Sequence, residues 1–269
     1  MPSHSPLGLI AGSGELPLYF ARRAKQNGFS LKIVALRGSA SPRIAVLGSS
    51  VTWISIGQLG ALISFFKTQG VRRAVMHGKV EHSSVFKNPK LDWKALALWM
   101  RLKDRSGEAL LKGVAGELLK SGVKLLDGRF LMNDLLVKPG WLTRKKADAA
   151  GLETITYGLK KARVLAKAGV GQTLIVKNKA VAAVEALEGT NETIRRAGDW
   201  AGSGTVLVKT SSPRQDWRFD IPTIGLKTIQ AMVAAKAKGL VLESGRAFLL
   251  DREKTINLAD KKGIFIRGI

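Results

Sequence analysis

The first thirty-six residues constrain the architecture most. Leu7-Gly8-Leu9-Ile10-Ala11 is a short apolar run suited to a strand buried on both faces. Gly12-Ser13-Gly14-Glu15-Leu16-Pro17 interrupts it. A helical pattern then runs to Gly28, a residue suited to the positive φ that closes a helix. Residues 31–36 form a second apolar run. Strand, glycine turn, helix and strand make a βαβ unit, the start of a parallel α/β sheet. A glycine turn feeding a helix N-terminus can cradle phosphate through backbone N–H groups. Gly12, Ser13 and Gly14 are therefore candidate phosphate contacts, with a tight turn and no ligand as the alternative. Pro17 stands where the dinucleotide fingerprint needs its third glycine, so no NAD site is predicted.

The same grammar continues. Residues 51–56 read as a third strand, 58–69 as a helix stopped by Gly70, and 73–77 as a further strand left through Gly78-Lys79-Val80. Ligands of open α/β sheets bind beyond the carboxyl ends of the strands. The Gly12–Glu15 turn and Gly78-Lys79 share that edge, which makes Lys79 a candidate anion contact. Asn88-Pro89-Lys90 opens a helix with Leu91, Ala95, Leu98 and Leu102 on one face. A second helix, 106–120, carries Leu110, Leu111, Val114 and Leu118. Trp93 and Trp99 suit the core, the favoured reading, or an apolar groove, and 124–127 reads as a short strand. The pattern breaks around Lys138-Pro139-Gly140. The expected division is a Rossmann-like α/β domain over 1–138 and an α+β domain over 139–269, in keeping with a chain of 269 residues.

The second half mixes hairpins with helices. A helix is expected over 154–167, closed by Gly169. A hairpin follows, 172–176 with 180–185, turning at Lys177-Asn178-Lys179. Next come a helix containing Arg195 and Arg196, a strand over 205–209, and a helix through Met232 to about 238. Residues 240–243 and 247–250 read as another hairpin, turning at Ser244-Gly245. A helix over 252–262 and a strand over 264–266 finish the chain.

Charged residues gather at two places. Arg214-Gln215-Asp216-Trp217-Arg218-Phe219-Asp220 holds two arginines and two carboxylates in seven residues. Asp220 precedes Pro222, so a strand-to-helix junction is expected there. Glu185-Ala186-Leu187-Glu188-Gly189-Thr190-Asn191-Glu192 also lies where a strand pattern gives way to a helical one. Carboxylates at two such junctions, with Lys and Arg nearby, suit a divalent metal and a phosphate. Helix caps with solvated charges are the alternative. The chain has no cysteine and 3 histidines, which excludes thiolate sites and disfavours a histidine site. His77 and His82 are close in sequence, but their spacing reads as loop. A metal here is expected to be hard and carboxylate-held, Mg2+ or Mn2+. Asp220, Glu188 and Asp216 are its candidate ligands. Lys209, Arg218 and Lys79 are candidate phosphate contacts.

The N-terminus shows no signal-peptide pattern, and no apolar run approaches the ~20 residues of a bilayer span. A cytoplasmic location is expected. The net charge of +24 allows nucleic acid, an anionic membrane surface or a phosphorylated substrate as partner. The basic residues are spread along the chain with little aromatic interleaving, so nucleic acid is the less favoured of these. Basic residues around an apolar cleft in the 91–102 and 110–118 helices would hold the protein near an anionic leaflet, peripheral at the inner membrane.

Several motifs together resemble one family. Gly8-Leu9-Ile10-Ala11-Gly12-Ser13-Gly14-Glu15-Leu16-Pro17, Gly78-Lys79-Val80, Gly171-Gln172, Ala183-Val184-Glu185-Ala186-Leu187-Glu188-Gly189-Thr190-Asn191 and Gln215-Asp216-Trp217-Arg218-Phe219-Asp220-Ile221-Pro222-Thr223-Ile224-Gly225 are similar to motifs of UDP-2,3-diacylglucosamine pyrophosphatases of the LpxI type. The resemblance runs over nearly the whole chain. It implies a two-domain enzyme of lipid A synthesis. Such an enzyme hydrolyses UDP-2,3-diacylglucosamine to lipid X and UMP with a divalent metal, directing water at the β-phosphorus. It also implies that Asp220 is the catalytic aspartate and that Thr190 and Asn191 lie at the substrate. A homodimer stays open. Three features depart from the pattern. Asn191 stands where the family usually has aspartate. The 105–111 stretch keeps one acid, Glu108, where two adjacent aspartates are common. The chain is also unusually basic. These departures keep a second reading alive, a polyanion- or nucleotide-lipid-binding paralogue with weakened catalysis.

Overall fold

The computed structural model describes residues 5–79, 91–104 and 106–269. Val80, His82, Asn88-Pro89-Lys90 and Arg105, all singled out above, lie outside the described residues. The chain divides into two compact units: Met1–Asn133 with Asp216–Asp220, and Asp134–Gln215 with Ile221–Ile269.

The first unit is an open parallel sheet. Its strands are β1 (Leu7–Ala11), β2 (Leu31–Leu36), β3 (Ser50–Ile54), β4 (Arg73–His77) and β5 (Lys124–Leu125), in the order β3-β2-β1-β4-β5. Every pairing is parallel. β1 is buried throughout, as its unbroken apolar run requires. Among the described residues its helices are α1 (Leu16–Gln26), α2 (Leu59–Thr68), α3 (Trp93–Arg101) and α4 (Gly107–Lys120). Ile10, Val34, Ile54, Leu62 and Phe66 form a core cluster with Ala95 and Leu98 of α3 and Leu118 of α4. Asp92 caps two helices at once. Its Oδ1 accepts from the Ala95 amide of α3 at 3.0 Å, and its Oδ2 from the Gly60 amide of α2 at 2.6 Å. The strand order reverses between β1 and β4. Their carboxyl ends are therefore the topological switch point, the usual ligand edge of such sheets. Trp93, expected in the core, is instead 77% exposed. Ala95 and Leu98 take the buried stripe of α3, and Trp93 falls outside that arc.

The second unit is a mixed sheet. Its strands are β6 (Gly140–Trp141), β7 (Thr173–Lys177), β8 (Ala180–Val184), β9 (Val206–Lys209), β11 (Gly239–Leu242) and β13 (Phe265–Gly268), in the order β6-β13-β11-β9-β7-β8. β9, β11 and β13 are parallel, while β6, β7 and β8 run against their neighbours. A separate pair joins β10 (Thr223–Ile224) to β12 (Phe248–Leu249), also parallel. Among the helices, α5 (Ala149–Lys167) covers one sheet face with Ile155 and Ala162 against Val176, Val208 and Val241. α6 (Thr190–Ala201), α7 (Leu226–Ala234) and α8 (Arg252–Lys261) cover the other with Ile194, Met232 and Ala259. The β7–β8 hairpin turns on Asn178 (φ 47°) and Lys179 (φ 61°), the two left-handed residues a tight hairpin needs.

Two sequence expectations fail here. Residues 240–243 and 247–250 do not form a hairpin, because β9 and β13 already occupy both edges of β11 and β12 pairs with β10. Asp220 does not sit at a strand-to-helix junction. It ends a turn, and β10 comes between it and α7, whose N-cap is Gly225.

Candidate active site

Among the described residues, charged groups collect in three places, two in the first unit and one in the second. The first is the switch point. Ser13 and Lys79 form a backbone bridge, with Ser13 N–H donating to the Lys79 carbonyl at 2.8 Å and Lys79 N–H to the Ser13 carbonyl at 3.1 Å. Gly12 N–H donates to the His77 carbonyl at 2.8 Å. A Cβ on Gly12 would strike the Lys79 carbonyl, and one on Gly78 the Ser13 carbonyl, so this close approach requires glycine at both positions. Three of the amides that might cradle an anion are thus committed inside the loop. In the first turn of α1, Pro17 has no N–H and the Leu18 and Tyr19 amides donate to the Glu15 carbonyl at 3.0 and 3.1 Å, so the exposed Lys79 side chain is the group left to meet one. Behind the loop His77 is buried against the Phe20 ring, with centroids 5.0 Å apart. Burial lowers its pKa to about 3, so it is neutral.

The second place is the turn Asp216–Asp220. Arg218 closes a fork on Asp216, with Nε to Oδ1 at 2.9 Å and Nη2 to Oδ2 at 2.7 Å. The Arg218 amide also donates to Oδ1 at 3.1 Å. Arg129 makes the same fork on Asp127, at 3.0 and 2.6 Å. The two Asp-X-Arg turns are neighbours. Gly128 N–H donates to the Trp217 carbonyl at 2.8 Å, and the Arg129 guanidinium lies 4.4 Å from the Trp217 ring centre. Arg218 hydrogen bonding holds the Asp216 carboxyl below its ordinary range. Burial would raise Asp127, but hydrogen bonds from the Arg129 side chain and amide outweigh it, while the Asp216 charge pushes upward. Asp220 is exposed at the end of the turn. Sequence reading missed Asp127 and Arg129. The signal was the repeated spacing Asp127-Gly128-Arg129 and Asp216-Trp217-Arg218.

The third place is the N-terminus of α6. Lys209, at the end of β9, is buried and directs its Nζ to Thr173 Oγ1 at 2.8 Å, Thr190 Oγ1 at 3.0 Å and Glu185 Oε2 at 3.3 Å. Thr190 in turn donates to Glu185 Oε1 at 2.9 Å. Gly189, with φ 84°, turns the chain into the helix. Glu188 is held by Arg196, by Thr193 Oγ1 at 3.3 Å and by the Ala186 amide at 3.0 Å. Backbone amides, its own first, and Arg196 keep its carboxyl below the usual range against the effect of burial. Asn191 lies in the first turn of α6. The loop after β9 is pinned by residues the sequence reading did not select. Glu243 Oε2 accepts from the Ser211 amide and hydroxyl, both at 3.0 Å, and Arg246 donates to Ser211 Oγ at 2.6 Å. A groove of about 470 Å³ at the β7–β8 edge, lined by Lys177, Val181 and Trp200, contains none of the predicted site residues.

The structure therefore brings Lys209, Thr190 and Glu185 together in the second unit, Asp216 with Arg218 in the first, and Ser13 with Lys79 in the first. Glu188 belongs to the second unit, and Asp216 and Asp220 to the first. Among the described residues no three His, Cys, Asp or Glu side chains cluster to hold a metal. Asp216 and Glu188 already have both oxygens engaged, so neither fits a ligand in this arrangement. Asp220, exposed, fits a cation that also takes substrate phosphate oxygens, the usual manner of Mg2+.

Comparison with known proteins decides the kinship. The family model of the LpxI N-terminal domain matches residues 6–135, and that of the LpxI C-terminal domain matches 138–267. The chain belongs to the LpxI family. A relative from Caulobacter vibrioides (strain ATCC 19089 / CIP 103742 / CB 15), the UDP-2,3-diacylglucosamine pyrophosphatase LpxI, is 31% identical over 98% of this chain and 97% of its own. Among solved structures, the biotin carboxylase subunit of pyruvate carboxylase aligns with 73% of this chain and 41% of that one, at 12% identity and a TM-score of 0.29. At that score the likeness carries no weight. Among the described residues no helix of this LpxI chain is long and apolar enough to cross a membrane.

Proposed function

We propose that this protein hydrolyses the pyrophosphate of UDP-2,3-diacylglucosamine, releasing lipid X and UMP for lipid A synthesis. The end-to-end match to the Caulobacter pyrophosphatase carries the reading. The chemistry of these residues is compatible with it. A pyrophosphate diester concentrates negative charge, and cationic side chains must offset it as water attacks in line. Arg218 and Lys79 are the accessible candidates. Lys209 would have to release Thr190, Thr173 or Glu185 to touch a phosphate, so in this arrangement it braces the start of α6. Asp220 holds or orients the attacking water, with the β-phosphorus as its target. A divalent cation on Asp220, Mg2+ or Mn2+, would supply charge neutralisation at the phosphate oxygens. Thr190 and Asn191, at the helix N-terminus, present backbone N–H groups suited to an anion.

The test is turnover of UDP-2,3-diacylglucosamine in oxygen-18 water with Mg2+ or Mn2+, wild type beside Asp220→Ala. Label in lipid X, with a loss of roughly a thousandfold or more in the variant, is the expected result. Label in UMP would move the attack to the other phosphorus. Lipid binding without turnover would favour the weakened paralogue. Rescue by Asn191→Asp would then trace the defect to the missing carboxylate.

A further inference from the structure

The charged clusters leave one feature of the first unit without a task. On α3, Trp93, Leu96 and Met100 follow at i, i+3 and i+7, which is one stripe of a helix. Trp93 is 77% exposed and Met100 72%. Leu96, and Leu91 just before the helix, are exposed as well. The buried stripe of the same helix, Ala95 and Leu98, already packs into the core. α3 is therefore apolar on two stripes, and folding uses only one of them. Single exposed apolar residues are ordinary, but a tryptophan and a methionine along one stripe mark an interaction surface.

The surroundings of that stripe are basic. Lys94, Arg101 and Lys103 are exposed. The acids nearby are engaged locally. Asp92 accepts amides of α2 and α3, and Asp104 accepts from the Ser106 amide and hydroxyl, both at 2.8 Å. Arg101 has a surface pairing with Glu117 at 3.4 Å, which leaves it accessible. An apolar stripe carrying tryptophan, flanked by lysine and arginine, matches a helix lying in a membrane interface. Anionic headgroups attract such basic residues, whereas nothing near the stripe offers charge complementarity to a basic copy of this chain.

We propose that α3 docks the protein on an anionic bilayer surface. Trp93, Leu96 and Met100 enter the acyl boundary, and Lys94, Arg101 and Lys103 meet the headgroup phosphates. The inference rests on the reading that the substrate is a diacylated lipid, which must be taken from a bilayer.

The test is sedimentation of the full chain with vesicles of phosphatidylethanolamine and phosphatidylglycerol, against vesicles of phosphatidylcholine alone. Wild type is expected to partition onto the anionic vesicles, less so as salt rises. Trp93→Ala with Met100→Ala should lower partitioning roughly a hundredfold. Lys94→Glu with Lys103→Glu should remove the preference for anionic lipid while leaving thermal unfolding unchanged. Wild type that ignores anionic vesicles, or a Trp93/Met100 variant that binds them equally well, overturns the proposal. So does a dimer in sedimentation velocity that the same substitutions dissolve, since the stripe would then be a self-association surface. Vesicle binding needs no turnover. Binding without hydrolysis sinks the proposed function and spares the docking. Hydrolysis of a soluble short-acyl substrate without vesicle binding does the reverse.

Discussion

In the turn of the first unit, Arg218 and Arg129 each neutralise a carboxylate two residues away, at a partly exposed surface. In the second unit, Lys209 reaches Glu185 across 24 residues of chain, and both side chains are buried. Pairs of the first kind can form in any chain that makes the turn, so they add little to stability and exchange partners readily. A pair of the second kind exists only once β7, β8, β9 and α6 have assembled. It is costly to bury and costly to break. The contrast assigns the adaptable charges to the segment that ends in Asp220, and the fixed ones to the scaffold under Thr190.

The largest expected effect tests the fixed side. Lys209→Met leaves the Glu185 carboxylate buried without its cation, and denaturant unfolding should show a loss of about 3–5 kcal/mol. Replacing both partners, Lys209→Met with Glu185→Leu, should restore most of it. A single-variant loss below about 1 kcal/mol would mean that the pair is not buried in solution, and the contrast would collapse. The next test asks whether the first unit tolerates any buried charge. His77 has a folded pKa of about 3, below its unfolded value. Between these values the unfolded chain binds a proton that the folded one does not. Stability should therefore fall as pH drops below about 6.5, by roughly 2 kcal/mol at pH 5, and His77→Leu should flatten that slope. The smallest effect concerns the local forks. Arg218→Ala should change stability by less than about 1 kcal/mol. Carboxyl NMR titration should nonetheless show Asp216 rising toward its ordinary range. A large stability loss instead would make the fork structural.

Much of the first unit was readable because its strands are continuous apolar runs and its turns are glycines that no other residue replaces. The shared sheet edge of the Gly12–Glu15 turn and Gly78-Lys79 was readable; the backbone bridge between Ser13 and Lys79, and the need for glycine at 12 and 78, were not. The 177–179 turn was readable for a similar reason, since Asn178 tolerates the left-handed region. Pairing partners were not readable. Residues 240–243 and 247–250 have the length and turn of a hairpin, but strand neighbours are chosen by burial across the whole sheet. Trp93 misled because a large aromatic reads as core in any local window, while its place on the helix arc decides. Asp127 escaped because the turn that packs beside it, Asp216–Arg218, is distant in sequence, although both carry the same Asp-X-Arg spacing. Asp220 was selected from its charged stretch, and its catalytic role from resemblance; its exposure at the end of a turn could not be read from neighbouring residues.

Asp216–Asp220 completes a unit whose other residues end at Asn133, so the chain passes between the units at three points. The two family domains look like consecutive cassettes, 6–135 and 138–267, but the halves are not separable parcels. A gene cut after residue 133 would yield a first half without the carbonyl that receives Gly128 and without the indole beneath Arg129. The first half would need the second present in trans to finish its own surface, and the second would not need the first. Recombination that swapped the second half for a foreign domain would remove Asp216–Asp220 from the first unit, whereas replacing the first half would leave every residue of the second unit in place.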